Sequence, residues 1–247
     1  GRWKMTTPMP EAVKKIIVQD VSDVKNVASS VDFVFSAVDM TKDEIKKIEE
    51  EYAKTETPVV SNNSAHRWTP DVPMVVPELN PEHLEVIESQ KKRLGTTRGF
   101  IAVKPNCSIQ SYTPALHALK KAGYEPKTVV ATTYQAISGA GKNFKDWPEM
   151  EHNIIPFIGG EEEKSEQEPL RIWGHIENGE IVKAEGPVIT TQCIRVPVLD
   201  GHTAAVFVTF EEGKKPSKEE IIKVWREYSG VPQELKPPTA PGPKKKE

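Results

Sequence analysis

Short β-rich runs alternate with amphipathic helical segments in the first part of the chain, and this alternation constrains the fold more than any other feature. Residues 31–38 and 57–62 are apolar runs typical of buried strands. Between them, Thr41 and Glu44 have the spacing of a capping box and open an amphipathic helix. Strands that alternate with helices in this way predict βαβ units and a parallel sheet. The turn Gly-x-Gly-x-x-Gly, with which such a sheet usually begins, does not occur in the sequence.

The second half of the chain is rich in β-branched residues, which are joined by turn signals. Residues 128–135, 188–198 and 203–210 are predicted strands, and Asp200-Gly201 is typical of a hairpin turn between the last two. Ser217 begins a further helix with a capping box. The pattern therefore predicts a second region that is built mainly of long strands.

Composition excludes several classes of function. The 33 basic and 36 acidic residues give a net charge of −3, which offers no electrostatic reason to expect a nucleic acid or an anionic membrane as partner. No apolar run approaches the ~18–20 residues that a membrane span needs. Two cysteines are too few for a disulfide framework, so a reducing, cytoplasmic location is expected. The histidines other than His202 show no metal-ligand spacing, so no metal site is predicted.

Cys107 is the strongest single chemical signal. It follows an apolar strand at 100–103 and precedes a predicted helix, whose N-terminal amides would favour a thiolate. Asn106 beside it offers a polar donor next to a developing oxyanion. A lone cysteine is more often a buried structural residue, and from these residues both interpretations stay open. Cys193, in the middle of a predicted strand, is better explained as structural.

Arg195 and His202 form a second candidate pair. They flank the Asp200-Gly201 turn, so a hairpin would bring them together on its two arms. A paired arginine and histidine suits a site that binds a carboxylate and moves a proton beside it. On spacing alone, a surface arginine and a turn histidine are the more common explanation.

Three other segments are weak signals when each is taken alone. Residues 138–142 are Gly-rich and follow a strand, so their amides would approach a phosphate, but the P-loop spacing is absent and a flexible turn is more common. Residues 161–164 form a charge run, which is usually a solvated surface. Arg67 follows a predicted strand and is a candidate anion ligand.

Taken together, these segments resemble, in order and in spacing, the aspartate-semialdehyde dehydrogenase family of the archaeal and fungal type. The resemblance runs from about residue 31 to about residue 240. The motifs that carry it are Ser61-Asn62-Asn63 with Arg67, Asp71-Val72-Pro73 with Pro77-Glu78-Leu79-Asn80, Pro105-Asn106-Cys107-Ser108, residues 131–141, residues 160–164, and Arg195 with His202. No single motif is specific for this family, but the occurrence of all of them in the family's order is.

The resemblance implies an α/β fold with two parts, similar to glyceraldehyde-3-phosphate dehydrogenase. We expect an incomplete Rossmann-like NAD(P)-binding domain at 1–103, an α+β catalytic and dimerisation domain with a mixed sheet at 104–231, and a Pro/Lys-rich tail at 232–247. The Gly-rich opening unit and the final return segment of the family have no match, so the chain is expected to be a fragment that lacks both. A homodimer or homotetramer is expected.

The resemblance also implies a reaction. Aspartyl 4-phosphate would be reduced to aspartate 4-semialdehyde with release of phosphate, through a thioester on Cys107 and with His202 as general acid and base. NADP, as NADPH, would be the cofactor. Asn106 and Gln135 complete the catalytic set, with Gln135 positioning the substrate near the thiol. The remaining implied roles are α-carboxylate binding by Arg195, amino-group binding by Glu161, phosphate binding by Arg67 and Lys164, and NADP binding by Ser36, Ala37, Ser138 and Gly139.

Several alternatives remain open from the sequence. Malonyl-CoA reductase, N-acetylglutamyl-phosphate reductase and glyceraldehyde-3-phosphate dehydrogenase are other thiol-dependent acyl reductases. A Cys/His hydrolase would use Cys107 and His202 as a dyad, although no third orienting residue is evident. A further alternative is a fragment that has no catalytic activity and only forms oligomers.

Overall fold

Strand pairing divides the protein into two main sheets. The computed structural model describes Trp3 and residues 7–236. Within that part of the chain the strands are β1 (Val34–Ser36), β2 (Val59–Ser61), β3 (Ile101–Val103), β4 (Pro126–Gln135), β5 (His175–Glu177), β6 (Glu180–Val182), β7 (Val188–Arg195) and β8 (His202–Phe210). The helices are α1 (Glu11–Lys14), α2 (Val24–Ala28), α3 (Lys42–Lys54), α4 (Ile87–Leu94), α5 (Thr113–Lys121), α6 (Glu161–Ile172), α7 (Lys218–Glu227) and α8 (Val231–Leu235).

The first sheet has three parallel strands in the order β1-β2-β3. Its first crossover helix, α3, begins at the predicted capping box: Thr41 Oγ1 accepts the backbone N–H of Glu44, and the Glu44 carboxylate accepts the N–H of Thr41 at 3.0 Å. The buried side of α3 includes Ile45, Ile48 and Tyr52. The predicted parallel βαβ arrangement is therefore confirmed, although β1 and β2 are shorter than the apolar runs that predicted them.

The second sheet is mixed, as expected. Its order is β7-β4-β8, with β7 parallel and β8 antiparallel to the central strand β4. A separate two-stranded hairpin, β5 with β6, turns at Asn178 and Gly179. One apolar core joins the two sheets, since Met74, Ile101 and Val129 belong to the same buried cluster.

The expected hairpin between the last two long strands is wrong. β4 lies between β7 and β8, so these strands do not pair with each other. The segment that connects them crosses the end of β4, where the carbonyls of Val198 and Leu199 accept the N–H groups of Ile137 and Ser138. Asp200-Gly201 therefore belongs to a crossing loop that the backbone after β4 stabilises.

The C-terminal part of the described chain departs from the expected tail. The capping box at Ser217 opens α7 as predicted. Residues 231–235, however, form α8, so the tail predicted to start at residue 232 begins as helix, with Pro232 in the first turn, where proline is tolerated. The rest of the predicted tail from residue 237 lies outside the described residues. No described helix has the length and apolar character that crossing a membrane requires.

Candidate active site

Cys107 and His202 line one open cleft. Cys107 is exposed, and its Sγ lies 3.3 Å from Nε2 of His202. The other ring nitrogen, Nδ1, accepts the backbone N–H of Ala136 at 3.1 Å. Because Nδ1 is an acceptor in this bond, the proton of the neutral imidazole is assigned to Nε2, which faces the sulfur.

The helix predicted after Cys107, at residues 111–121, is confirmed as α5, but it does not begin next to the cysteine. Cys107 lies in a turn, a short 3₁₀ helix at Ile109–Ser111 follows, and α5 begins only at Thr113. Pro114 explains the delay, since proline is tolerated only in the first turn of a helix. The N–H of Ser108 donates to Oδ1 of Asn106 at 2.8 Å. The first backbone N–H after the cysteine is therefore hydrogen-bonded to the Asn106 side chain and not to the sulfur.

The mixed sheet brings three of the predicted site residues to one position. In the strand register, Gln135 at the end of β4 pairs with Arg195 on one side and with His202 on the other. Gln135 and Arg195 are buried, and His202 is half-buried. The end of the central strand therefore collects an amide, a guanidinium and an imidazole.

Arg195 is a buried cation whose contact within the described chain is a neutral group. Its Nη1 donates to the carbonyl of Ala136 at 2.7 Å. Burial lowers the pKa of Arg195, and the negative charges of Glu161 and Cys107 act in the opposite direction. The tight packing around it requires glycine at position 139, because an added Cβ there would lie 2.9 Å from Nη1 of Arg195 and 3.0 Å from Cε1 of His202.

Glu161, the first residue of α6, joins several groups of the site. Its Oε2 accepts Nδ2 of Asn106 at 2.9 Å and Nε2 of Gln135 at 3.4 Å, and its Oε1 pairs with Nζ of Lys164 at 2.8 Å. Burial raises the pKa of Glu161, but the hydrogen bonds from Lys164 and Asn106 outweigh it and place the pKa below its usual value. Glu161 is therefore held as a carboxylate.

The sequence suggested that the Asn106 side chain offers a free donor beside the sulfur, but the structure places its amide in other hydrogen bonds. Its Oδ1 accepts both the N–H and the hydroxyl of Ser108, at 2.8 and 2.6 Å. Its Nδ2 donates to Glu161. The residue is buried. Asn106 thus ties the turn of Cys107 to α6, and its expected role as a donor to an oxyanion has no support in these contacts.

The two predicted phosphate ligands are both ion-paired. Arg67 is buried, its Nη1 lies 2.9 Å from Oε1 of Glu168, and its Nε donates to the carbonyl of Lys104 at 3.0 Å. Nη2 of Arg67 makes no hydrogen bond to the described residues. Lys164 pairs with Glu161 and keeps about a third of its side-chain surface exposed, at 35%.

The residues predicted to bind the cofactor lie in two places. Ser138 and Gly139 line the same cleft as Cys107 and His202. Ser36 and Ala37 lie at the end of β1, where Oγ of Ser36 accepts Nδ2 of Asn63 at 3.1 Å and Ala37 is exposed. The carboxyl ends of parallel strands are the usual binding edge of open α/β sheets.

Sequence reasoning missed three contributors to the site. Glu168 lies on the buried side of α6, two helical turns after Glu161, and this spacing was the available signal. Lys104 is half-buried; burial lowers its pKa, whereas the charge of Cys107 raises it. Ala136 acts through its backbone, for which no side-chain pattern exists.

A parallel sheet joined through one core to a mixed sheet, with a cysteine–histidine pair in a cleft, defines an α/β protein with a candidate thiol active site. Two family models match this chain: the NAD binding domain of semialdehyde dehydrogenase over residues 2–87, and the semialdehyde dehydrogenase dimerisation domain over residues 116–245. The chain belongs to the semialdehyde dehydrogenase family. The two matches reach beyond both ends of the resemblance found from the motifs.

Individual relatives agree with the family models. The aspartate-semialdehyde dehydrogenase of Methanothermobacter thermautotrophicus is 39% identical over 98% of this chain and 67% of the relative, and that of Cryptococcus neoformans is 36% identical over 97% and 66%. The crystal structure of aspartate-semialdehyde dehydrogenase with NADP from Candida albicans has a TM-score of 0.81 and 36% identity, and covers 95% of this chain and 65% of that one. The chain spans about two thirds of the length of the curated relatives it matches.

Proposed function

We propose that this protein catalyses the reversible NADP-dependent reduction of aspartyl 4-phosphate to aspartate 4-semialdehyde with release of phosphate. The observation that carries the proposal is the contact of 3.3 Å between Cys107 Sγ and His202 Nε2, placed where the strand register also brings Gln135 and Arg195. The family match and relatives named aspartate-semialdehyde dehydrogenase support the same chemistry.

Cys107 is the proposed nucleophile. Its thiol first loses a proton to solvent; the thiolate sulfur then forms a bond to the acyl carbon of the substrate, and the bond from that carbon to the phosphate oxygen breaks, so that phosphate leaves and a thioester remains. Lys164 and Nη2 of Arg67 are the proposed partners of the leaving phosphate, since two cations suit a doubly charged group. His202 supports the step because its Nε2–H faces the sulfur and donates a hydrogen bond to the thiolate, both before the attack and when the carbon–sulfur bond later breaks. The general acid–base role that the resemblance implied is not assigned, because a neutral imidazole whose Nδ1 accepts a backbone N–H has no free base at Nε2.

Arg195 is the proposed ligand of the substrate α-carboxylate. A buried cation costs free energy unless an anion pairs with it, and the described carboxylates make no ion pair with Arg195. A planar guanidinium binds a carboxylate through two parallel hydrogen bonds. Glu161, held ionised, is the proposed partner of the substrate amino group, and Gln135 lies between the two charges.

NADP is the proposed cofactor, and the residues at the edge of the parallel sheet fit it. β1 and β2 end in the small polar residues Ser36 and Ser61, and exposed Ala37 leaves room beside them. Ser138 and Gly139 would hold the reactive end of the cofactor over Cys107 in the shared cleft. When bound, NADPH supplies the two electrons and the hydrogen that reduce the thioester to the aldehyde.

The mixed sheet is the proposed contact between subunits of a homodimer or homotetramer. Its outer face carries exposed apolar side chains at Val130, Val188 and Phe207, and the family model that covers it is a dimerisation domain. The proposed domains are 1–103 for NADP and 104–231 for catalysis and association. Both cysteines are free, which suits the proposed cytoplasmic location.

A phosphate-dependent assay tests the function directly. We expect the protein to reduce NADP in the presence of aspartate semialdehyde and phosphate, and we expect Cys107→Ser to abolish this reaction. Cys193→Ser, which changes the buried cysteine of β7, is the matched control and should keep activity. Turnover by Cys107→Ser would show that Cys107 is not the nucleophile. Malonyl-CoA or glyceraldehyde 3-phosphate turned over in preference to aspartate semialdehyde would instead indicate a related acyl reductase, and calorimetry with NADP tests cofactor binding separately.

A further inference from the structure

Glu168 places a buried carboxylate directly behind the turn that carries Cys107. The residue lies on α6 and is 1% exposed. Its Oε2 accepts the backbone N–H of Asn106 at 2.6 Å, and its Oε1 pairs with Nη1 of Arg67 at 2.9 Å. A buried carboxylate that uses both oxygens in this way fixes the groups on either side of it.

Arg67 extends this arrangement to the other side of Pro105. Its Nε donates to the carbonyl of Lys104 at 3.0 Å, while Nη1 holds Glu168. One ion pair therefore holds the peptide group before Pro105 and the peptide group after it. Pro105 has a fixed φ and no N–H, and these two bonds restrain the peptide groups on both sides of it, in addition to the contacts of the Asn106 side chain.

We propose that Glu168, acting with Arg67, is a positioning residue that holds the turn at residues 104–107 so that Cys107 Sγ stays beside Nε2 of His202. The proposal rests on the proposed role of Cys107 as nucleophile, and it assigns Glu168 no contact with substrate. A sulfur that loses this placement is a poorer nucleophile because small misplacements of a reacting group slow reactions strongly.

Alkylation of Cys107 by iodoacetamide measures this placement without substrate or cofactor. In this reaction the sulfur forms a bond to the reagent's carbon and iodide leaves. Cys107 is exposed and Cys193 is fully buried, so mass spectrometry of the native protein follows Cys107. We expect Glu168→Gln to slow alkylation about tenfold, the effect of weakening one hydrogen bond to a charged group.

A second buried carboxylate provides the control for a merely structural role. Glu49 is also 1% exposed and is hydrogen-bonded to Ser61 in the first sheet. We expect Glu49→Gln to reduce thermal stability and to leave the alkylation rate of Cys107 within twofold of the unchanged protein. The proposal is overturned by an unchanged rate in Glu168→Gln, or by an equal loss of rate in both variants.

Arg67→Lys decides the question where Glu168→Gln does not fold. It keeps a positive charge for Glu168 and loses the Nε donor to Lys104. We expect alkylation of Cys107 to be about threefold to tenfold slower, the range expected for one hydrogen bond. An unchanged rate contradicts the proposed positioning role of Glu168 and Arg67. If the alkylation results are as expected while the phosphate-dependent assay shows no turnover, the positioning role stands and the proposed reaction fails.

Discussion

Ala136 donates its backbone N–H to Nδ1 of His202 at 3.1 Å, and this bond decides which ring nitrogen faces Cys107. The carbonyl of the same residue accepts Nη1 of Arg195 at 2.7 Å. The backbone of a single residue after β4 thus orients both His202 and the candidate carboxylate ligand. Side-chain substitutions at Ala136 leave these backbone groups in place, so the tests are made on the partners.

His202→Gln should reduce turnover by about tenfold to 10²-fold, the range for loss of a hydrogen bond to a charged group. One amide group cannot both donate to the sulfur and accept the N–H of Ala136 at the positions of the two ring nitrogens. The measurement is the initial rate of NADP reduction with aspartate semialdehyde and phosphate. His175→Gln, which changes an exposed histidine of β5, is the control and should keep the original rate. A His202→Gln protein with full turnover would exclude the proposed role of His202 at the sulfur.

Gly139→Ala should disturb two site residues at once. An added Cβ would lie 2.9 Å from Nη1 of Arg195 and 3.0 Å from Cε1 of His202, so both side chains must move. We expect kcat/KM to fall at least about tenfold, since displacement of a reacting group by a fraction of an ångström is costly. Gly159→Ala is the matched control because a Cβ there meets no atom within 4 Å. Equal kinetics for the two variants would show that the packing around Gly139 is not needed.

The sequence predicted much of the first sheet because its signals are local. The capping box at Thr41 and the strands around it depend on residues close together in the chain, and the structure follows them. The prediction of a hairpin between the strands of Arg195 and His202 was wrong because strand order depends on contacts between distant parts of the chain. Both residues still reach the same place, since each pairs with Gln135 from opposite sides of β4.

Other parts of the site depend on contacts that no local pattern encodes. Arg67 meets Glu168, a residue 101 positions away in the chain, and the sequence offers no sign of the pair. The charge run at 161–164 was ambiguous between solvated surface and site, and the burial of Glu161 against Asn106 becomes evident only from packing. The helix predicted after Cys107 does form, but α5 begins at Thr113, so its N-terminus does not lie at the cysteine.

Phe207→Glu should separate the subunits of the proposed oligomer. Phe207 is 75% exposed on the outer face of the mixed sheet, where an apolar side chain is expected to be covered by a second copy. A charge at the centre of such a contact is strongly unfavourable because it would be buried unpaired. We expect light scattering after size exclusion to give the mass of one subunit for this variant.

Leu235→Glu is the matched control for that experiment. Leu235 is 74% exposed on α8, so the substitution is of the same kind at a site away from the mixed sheet. The control should keep the oligomer mass of the unchanged protein. Dissociation by Leu235→Glu alone would show that the subunit contact does not lie on the mixed sheet. If the unchanged protein already has the mass of one subunit, the proposed oligomer does not exist.

His117 should make the folded protein sensitive to mild acid. Burial, with a smaller contribution from the charge of Lys121, lowers the pKa of His117 to about 4, whereas Glu82 acts in the opposite direction. Its Nδ1 has no hydrogen-bond partner among the described residues, and its ring packs against that of Tyr228 with centroids 5.9 Å apart. The folded state therefore binds fewer protons than the unfolded state between pH 6.5 and pH 4, so stability is complete above pH 6.5 and is lost as the pH falls toward 4.

His117→Phe should remove part of this acid sensitivity while it keeps an aromatic ring against Tyr228. The free energy of unfolding of the unchanged protein should fall by about 1–2 kcal/mol more than that of the variant between pH 7 and pH 5. Urea unfolding followed by tryptophan fluorescence at the two pH values measures the difference. Burial also lowers the pKa values of His66 and His83, but both proteins retain them and their effect cancels in the comparison. Equal losses in the two proteins would show that His117 does not stay neutral in the fold, because a histidine that is already charged contributes no further protonation on unfolding.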